Sequence, residues 1–338
     1  MRKNTQRRVL VLAATAATAA LALTGCSGGT DDTGGDGESG EFVPSFAFIT
    51  GDISDFGQVQ IEGMESVVEP LGGKVTVFDS DNAESQNSDC MDIVSSGQYN
   101  GIMLNALSGA GAVPCAEAAA EAGIPVVAVE TVVGPDATKI EPQVDGVIAS
   151  AVFSNEDAGM ATVELLKEGC ADFDPCKYIH IVGSQQYELE ANKLKVIERE
   201  LGGDSKYERV ALGEDGYNPE QGRQVAAELL SGNPDANVIL NSGDSSAVQV
   251  ISMLEEEGRD DIVVLGDGAS RQGVEAIKAG TLLGTTRLAP RTMGEVAATA
   301  LVQSNRGEDV ISQEEIADQL APIAFTADNI GDFEGQWG

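Results

Sequence analysis

GIMLNALSGAGAVPCAEAAAEAGIPVVAVE, residues 101–130, is the stretch that decides the fold. Ile102, Met103 and Leu104 form a short apolar run closed by Asn105, and a helix-length stretch of small residues follows. A second run, Val126 to Val129, ends on Glu130. Runs of this kind, rich in Val and Ile, recur outward in both directions at 46–50, 75–78, 147–153, 178–182, 208–212, 238–240, 262–265 and 284–288. They have the length and composition of buried parallel strands. Amphipathic stretches lie between them at 56–71, 156–168, 219–230, 245–257 and 292–303. In the first, Phe56, Val59, Met64, Val67, Val68 and Leu71 make a helical stripe that Gln60 interrupts. Asn218-Pro219 and Asp244-Ser245 read as helix entries, and Gly-Gly after Leu71 and Leu201 as helix ends. Alternating strands and helices predict an α/β protein with parallel, doubly wound sheets. Ten strands exceed one comfortable sheet, so two lobes are expected. The halves echo each other: 46–71 and 178–201 each read as a strand, a polar loop and a helix, and both helices end in Leu-Gly-Gly.

The N-terminus has the form of an address. Arg2, Lys3, Arg7 and Arg8 precede an apolar segment, 9–23, that ends in Leu23-Thr24-Gly25-Cys26. A basic region followed by an apolar stretch too short for a spanning helix reads as a secretory signal. The Leu-Thr-Gly-Cys end resembles the bacterial lipoprotein lipobox, which implies cleavage before Cys26 and a lipid on its sulfur. Residues 1–25 are then the signal. Residues 26–41 hold the lipidated Cys and a Gly-rich acidic stalk with nothing to bury. The whole chain carries a formal charge of −35, which becomes −39 once the four basic residues of the signal are gone. Such a chain repels phosphate backbones, so nucleic-acid partners are excluded. The single histidine, His180, excludes sites built from several.

With Cys26 lipidated, Cys90, Cys115, Cys170 and Cys176 remain, an even number in an oxidising compartment. None lies in a CxxC motif and no metal site is expected. Cys170 and Cys176 can close a local loop, leaving Cys90 and Cys115, although four cysteines permit three pairings.

Much of 46–329 resembles the type I periplasmic-binding-protein family, in its sugar-binding, ribose-binding-protein-like branch. The resemblance rests on 101–130, on 218–267 with its Asn233-Pro234-Asp235 and Val263-Val264-Leu265-Gly266-Asp267-Gly268, on VEAIKAG at 274–280, and on Thr326-Ala327-Asp328-Asn329. It implies two Rossmann-like lobes joined by a three-segment hinge near residues 152, 288 and 318, with ligand in the interlobe cleft. The first lobe is then 42–152 plus 289–315 and the second 153–288 plus 316–330. The implied strand order, 2-1-3-4, sets the helices carrying Cys90 and Cys115 side by side and favours their bridge.

The resemblance also nominates site residues. Loop 50–57 (TGDISDFG) is similar to the family's first cleft loop, which implies that Phe56 stacks on the ligand. Asp52 and Asp55 beside it can accept hydrogen bonds, and Asp55 reads equally as a helix cap. Asn105 matches a ligand-binding Asn. Glu130 stands where sugar binders carry Asp followed by Arg, but Thr131 replaces that Arg. Asn155 faces the hinge side. Glu190 lies in QQYELE, where an Arg frequently projects inward. Tyr217 matches the aromatic before Pro219, and Asp244 and Asp267 match acids that follow strands. Arg287 sits at the second crossing.

Acids outnumber cations in this set, which favours a neutral polyol, a sugar or an amine-bearing ligand over phosphates and carboxylates. The implied function is a solute-binding lipoprotein, monomeric and anchored by lipid to the outer face of the bacterial cell membrane, that delivers its ligand to the permease of an ABC importer. No cofactor is expected. The alternative is a ligand-sensing receptor for a membrane signalling kinase. Enzymatic chemistry is not expected: Ser108-Gly109-Ala110-Gly111 lacks the third glycine of a dinucleotide turn, and no GxSxG or P-loop occurs.

Overall fold

The computed structural model describes residues 42–338. The expected signal, the lipidation at Cys26 and the stalk lie outside the described residues. Elements run in chain order β1 (Ser45–Thr50), α1 (Asp55–Val68), β2 (Lys74–Asp79), α2 (Ala83–Ser96), β3 (Gly101–Leu104), α3 (Val113–Glu121), β4 (Val126–Val129) and β5 (Val147–Ala151). There follow α4 (Asn155–Gly169), β6 (Cys176–Val182), α5 (Glu188–Leu201), β7 (Tyr207–Glu214), α6 (Pro219–Gly232), β8 (Val238–Leu240), α7 (Asp244–Glu257), β9 (Val263–Gly268), α8 (Arg271–Ala279) and β10 (Gly284–Arg287). Helices α9 (Pro290–Arg306) and α10 (Gln313–Leu320) and strand β11 (Ala324–Thr326) complete it. Two sheets result, ordered β2-β1-β3-β4-β5 and β11-β10-β9-β8-β6-β7. All pairs are parallel except β10 with β11.

Period-two alternation in buried strands gives each sheet two cores. On β1, Phe46 and Phe48 face a cluster with α1, α9 and α10, while Ala47 and Ile49 face one with α2 and α3. On β6, Ile179 and Ile181 join one cluster and Tyr178 the other. Caps set the helix starts: Asn82 accepts from the Glu84 and Ser85 amides, Ser154 from Asp157, Asn218 from Gln221 and Ser270 from Gly273. Helices α1 and α9 touch backbone to backbone because Gly63 and Gly294 interlock. A Cβ on Gly63 would lie 2.2 Å from the Arg291 carbonyl oxygen.

The chain passes from the first sheet to the second after β5 and returns after β10, where α9 packs into the first-lobe core. The third crossing corrects the expectation of one near 318: Ile316 and Leu320 are buried in the first-lobe core, so α10 belongs to that lobe and the chain crosses after it. Disulfides join Cys90 to Cys115, between α2 and α3, and Cys170 to Cys176, between α4 and β6. Among the described residues no helix is long and apolar enough to cross a membrane.

Candidate functional site

The carboxyl ends of both sheets carry loops rich in polar side chains, the position where open α/β sheets bind ligands. In the first lobe Asn105 ends β3 and Glu130 ends β4. The Asn105 amide donates to Glu130 Oε2 at 2.8 Å. Buried Gln86 on α2 holds the Asn105 loop, donating to the Asn105 carbonyl at 2.8 Å and accepting from the Leu107 amide at 2.9 Å. Glu130 has φ +64°, a left-handed conformation that costs a non-glycine residue free energy and turns its carboxyl inward. Burial, then the Asp52 carboxylate, pushes its pKa from 4.5 to about 7. Asp52 is half-buried and accepts from the Ser54 amide at 2.8 Å. Phe56, at the start of α1, is 8% exposed.

In the second lobe Glu190 and Lys193 sit one turn apart on α5, both buried. Lys193 donates to Asp267 on β9, and Thr286 on β10 donates to the same carboxylate. Burial opposes the Lys193 charge, but the Asp267 and Glu190 carboxylates outweigh it and raise its pKa. Burial also raises Glu190, against the lowering pull of Lys193. Tyr217, with φ +57°, donates its phenol to Glu190 Oε1 at 2.9 Å and stacks on Tyr187 with ring centroids 5.9 Å apart. Burial raises the Tyr217 phenol, and so do the negative charges of Glu190, Asp267 and, from the other lobe, Glu130.

Of the nominated residues, the structure bonds Asn105 to Glu130 in the first lobe and brings Glu190, Tyr217 and Asp267 together around Lys193 in the second, while Asp52 and Phe56 lie in the loop and helix start that follow β1. Four others have different tasks. Asp244 is fully buried, accepting from the Ser270 amide at 2.6 Å and the Thr285 hydroxyl at 2.6 Å. Burial lifts its pKa to about 7, and it is an internal pin rather than a ligand contact. Arg287 is spent on the hinge: it donates to the Leu320 carbonyl at 3.0 Å and its guanidinium lies 5.4 Å from the Phe333 ring centroid. Asn155 donates to the Ala137 carbonyl at 3.1 Å, tying α4 to the loop between β4 and β5. Asp55 is exposed and accepts from the Gly338 amide, while Ser54 holds the cap position. Lys193 is the residue that sequence reasoning missed. It adds a second cation to a nominated set in which Arg287 was the only one.

The comparisons agree with this architecture. A family model described as "Periplasmic binding protein domain" matches residues 46–309. The ribose import binding protein of Bacillus subtilis is 24% identical over 262 residues, covering 74% of this chain and 77% of that protein. A solute-binding protein from Burkholderia graminis, solved with D-arabinose, superposes with a TM-score of 0.69 at 18% identity, over 86% of this chain and 98% of its own. The Caulobacter myo-inositol-binding protein, solved with myo-inositol, gives 0.68 at 19% identity, over 85% and 94%.

Proposed function

Because the chain belongs to the periplasmic-binding-protein domain family, we propose that it is a solute-binding protein that captures a sugar or polyol between its lobes and hands it to an ABC importer. One observation carries this reading. Asn105 bonds Glu130 at the carboxyl end of the first sheet, with Phe56 at the start of α1 on the same end, and Glu190, Lys193, Tyr217 and Asp267 form a second bonded cluster at the carboxyl end of the other sheet. Amide, carboxylate, ammonium and phenol groups together can donate to and accept from several hydroxyls at once. The similar proteins solved with D-arabinose and myo-inositol have ligands of that class.

The mechanism is binding without covalent chemistry. A ligand that touches both lobes binds the closed form better, so it shifts the open–closed equilibrium toward closure. Lys193 is already engaged by Asp267, and burial makes Glu130 hold its proton more tightly than an ordinary carboxyl. A neutral polyhydroxyl compound therefore fits better than an amine or an anion. Placement outside the membrane, anchored by a lipid on Cys26, agrees with the family and with the N-terminal sequence.

Titration calorimetry tests the reading with D-ribose, D-arabinose, D-allose, myo-inositol, glucosamine and ribose 5-phosphate. Binding of at least one neutral member is expected. Binding confined to glucosamine or the phosphate overturns the neutral-ligand assignment. Loss of labelled-sugar uptake when the gene is deleted supports delivery to an importer over sensing.

A further inference from the structure

Residues 333–338 leave the second lobe and return to the first. Phe333 anchors them: its ring stacks on Phe325 of β11 at 4.1 Å, and its carbonyl accepts from Lys278 at 2.9 Å. Beyond it the chain runs along the start of α8. The Arg271 amide donates to the Trp337 carbonyl at 2.8 Å, and the Arg271 guanidinium donates to the carbonyls of Gln336 at 3.1 Å and Gly338 at 3.2 Å. Trp337 Nε1 donates to the Gly268 carbonyl at 3.1 Å, and its six-membered ring lies on Gly268, where a Cβ would fall 2.6 Å from Cζ2. Gly268 directly follows the cleft residue Asp267.

The same three residues, Gln336, Trp337 and Gly338, also hold the first lobe. Trp337 meets Phe56 edge to face, with centroids 5.4 Å apart at 89°. Gln336 exchanges two hydrogen bonds with Thr292 on α9, at 2.7 Å and 3.3 Å. The Gly338 amide donates to Asp55 at 3.1 Å.

We propose that Trp337 is a wall of the ligand site, carried by a segment, 335–338, that stays on the second lobe and latches onto Phe56, Asp55 and Thr292 when the lobes meet. This rests on the sugar-binding reading for the identity of the ligand, while the latch itself rests on the contacts above. The partition of hydrogen bonds distinguishes a wall from a plug. The described bonds of 335–338 go to Gly268, Arg271, Asp55 and Thr292, and none goes to Asn105, Glu130, Glu190, Lys193 or Asp267. The polar groups are left for hydroxyls, and the indole adds a second aromatic surface beside Phe56. Flat aliphatic faces of sugar rings pack well on such surfaces, and an aromatic held in place loses little entropy on binding.

Trp337 is the single tryptophan of the chain, so its emission reports this contact alone. The experiment compares wild type, Trp337→Ala, Trp337→Phe and a deletion of 335–338 that keeps the Phe325–Phe333 stack. Calorimetry uses D-ribose, D-arabinose and myo-inositol, and small-angle scattering is recorded without ligand. Wild-type emission is expected to shift on binding. Trp337→Ala should weaken affinity at least fivefold, with Trp337→Phe recovering most of it, and the deletion should enlarge the ligand-free radius of gyration. Wild-type affinity in Trp337→Ala removes the wall, and tighter binding in the deletion makes the segment a plug; either overturns the proposal. An unchanged radius overturns the latch. If none of the three compounds binds wild type, the sugar reading fails, and the radius of gyration still decides the latch.

Discussion

Glu130 combines a left-handed backbone with a carboxyl whose pKa is moved by burial and by Asp52 from 4.5 to about 7. A carboxyl that holds its proton more tightly when folded contributes its stabilisation in full below the unfolded pKa. That contribution is lost as pH rises from about 4.5 to about 7. Glu130→Gln keeps an oxygen for the Asn105 amide but removes the titration. The variant should therefore gain on wild type across this window, by at most about 3 kcal/mol. Urea unfolding midpoints in a pH series from 4 to 8 check this, and a difference between the two proteins that does not change with pH would sink it. Sequence motifs nominated Glu130, Asn105 and Asp267 because residues that end strands in an α/β sheet lie where ligands bind. They nominated Asp244 and Arg287, which also end or follow strands, on the same ground. What separates these two is the Thr285 and Ser270 donors around Asp244 and the Leu320 carbonyl beside Arg287, partners distant in sequence. Lys193 escaped for the same reason: on α5 its spacing is as ordinary as that of Lys195, and only Asp267, 74 residues away, makes it part of the site.

At the scale of elements, legibility followed length. Strands of four to six Val- and Ile-rich residues and helices with a clear apolar stripe were readable because each satisfies its own periodicity. Helix α10 offers only Ile316 and Leu320 as apolar contacts, and β11 has three residues, so both are defined by what they pack against. The disulfides show how element pairing sets stability. Cys90–Cys115 closes a loop of 25 residues between α2 and α3, and Cys170–Cys176 a loop of 6 at the end of α4. In the chain-entropy account these restrict the unfolded state by about 3.5 and 2.2 kcal/mol. All four cysteines are buried, so replacing either pair with Ala leaves a void and the difference between the pairs rests on loop length. The Cys90→Ala/Cys115→Ala double variant should lose about 1 kcal/mol more than Cys170→Ala/Cys176→Ala. Calorimetric unfolding of the two compares them directly, and an equal or reversed order would show that loop length does not govern their effect.

The whole molecule is set by its charge. Residues 42–338 carry 50 acids against 16 bases. Most acids face solvent, and the ion pairs described, such as Arg199–Glu156 and Arg291–Glu62, occupy only a minority of them. Exposed pairs of this kind contribute little individually, whereas uncompensated like charges repel across the entire surface. Repulsion of this range depends on the screening length, which falls from about 30 Å at 0.01 M salt to about 3 Å at 1 M. The melting temperature should therefore rise with NaCl over that range, by roughly 2–4 °C for each kcal/mol of repulsion removed. Screening predicts a specific form for the rise: steep below about 0.2 M, shallow beyond it, and equal for NaCl and KCl at equal ionic strength. Specific cation binding would instead separate the two salts and saturate at a concentration set by its affinity. A melting temperature that is flat or falls with salt would mean that the surface ion pairs, which screening weakens, outweigh the net repulsion.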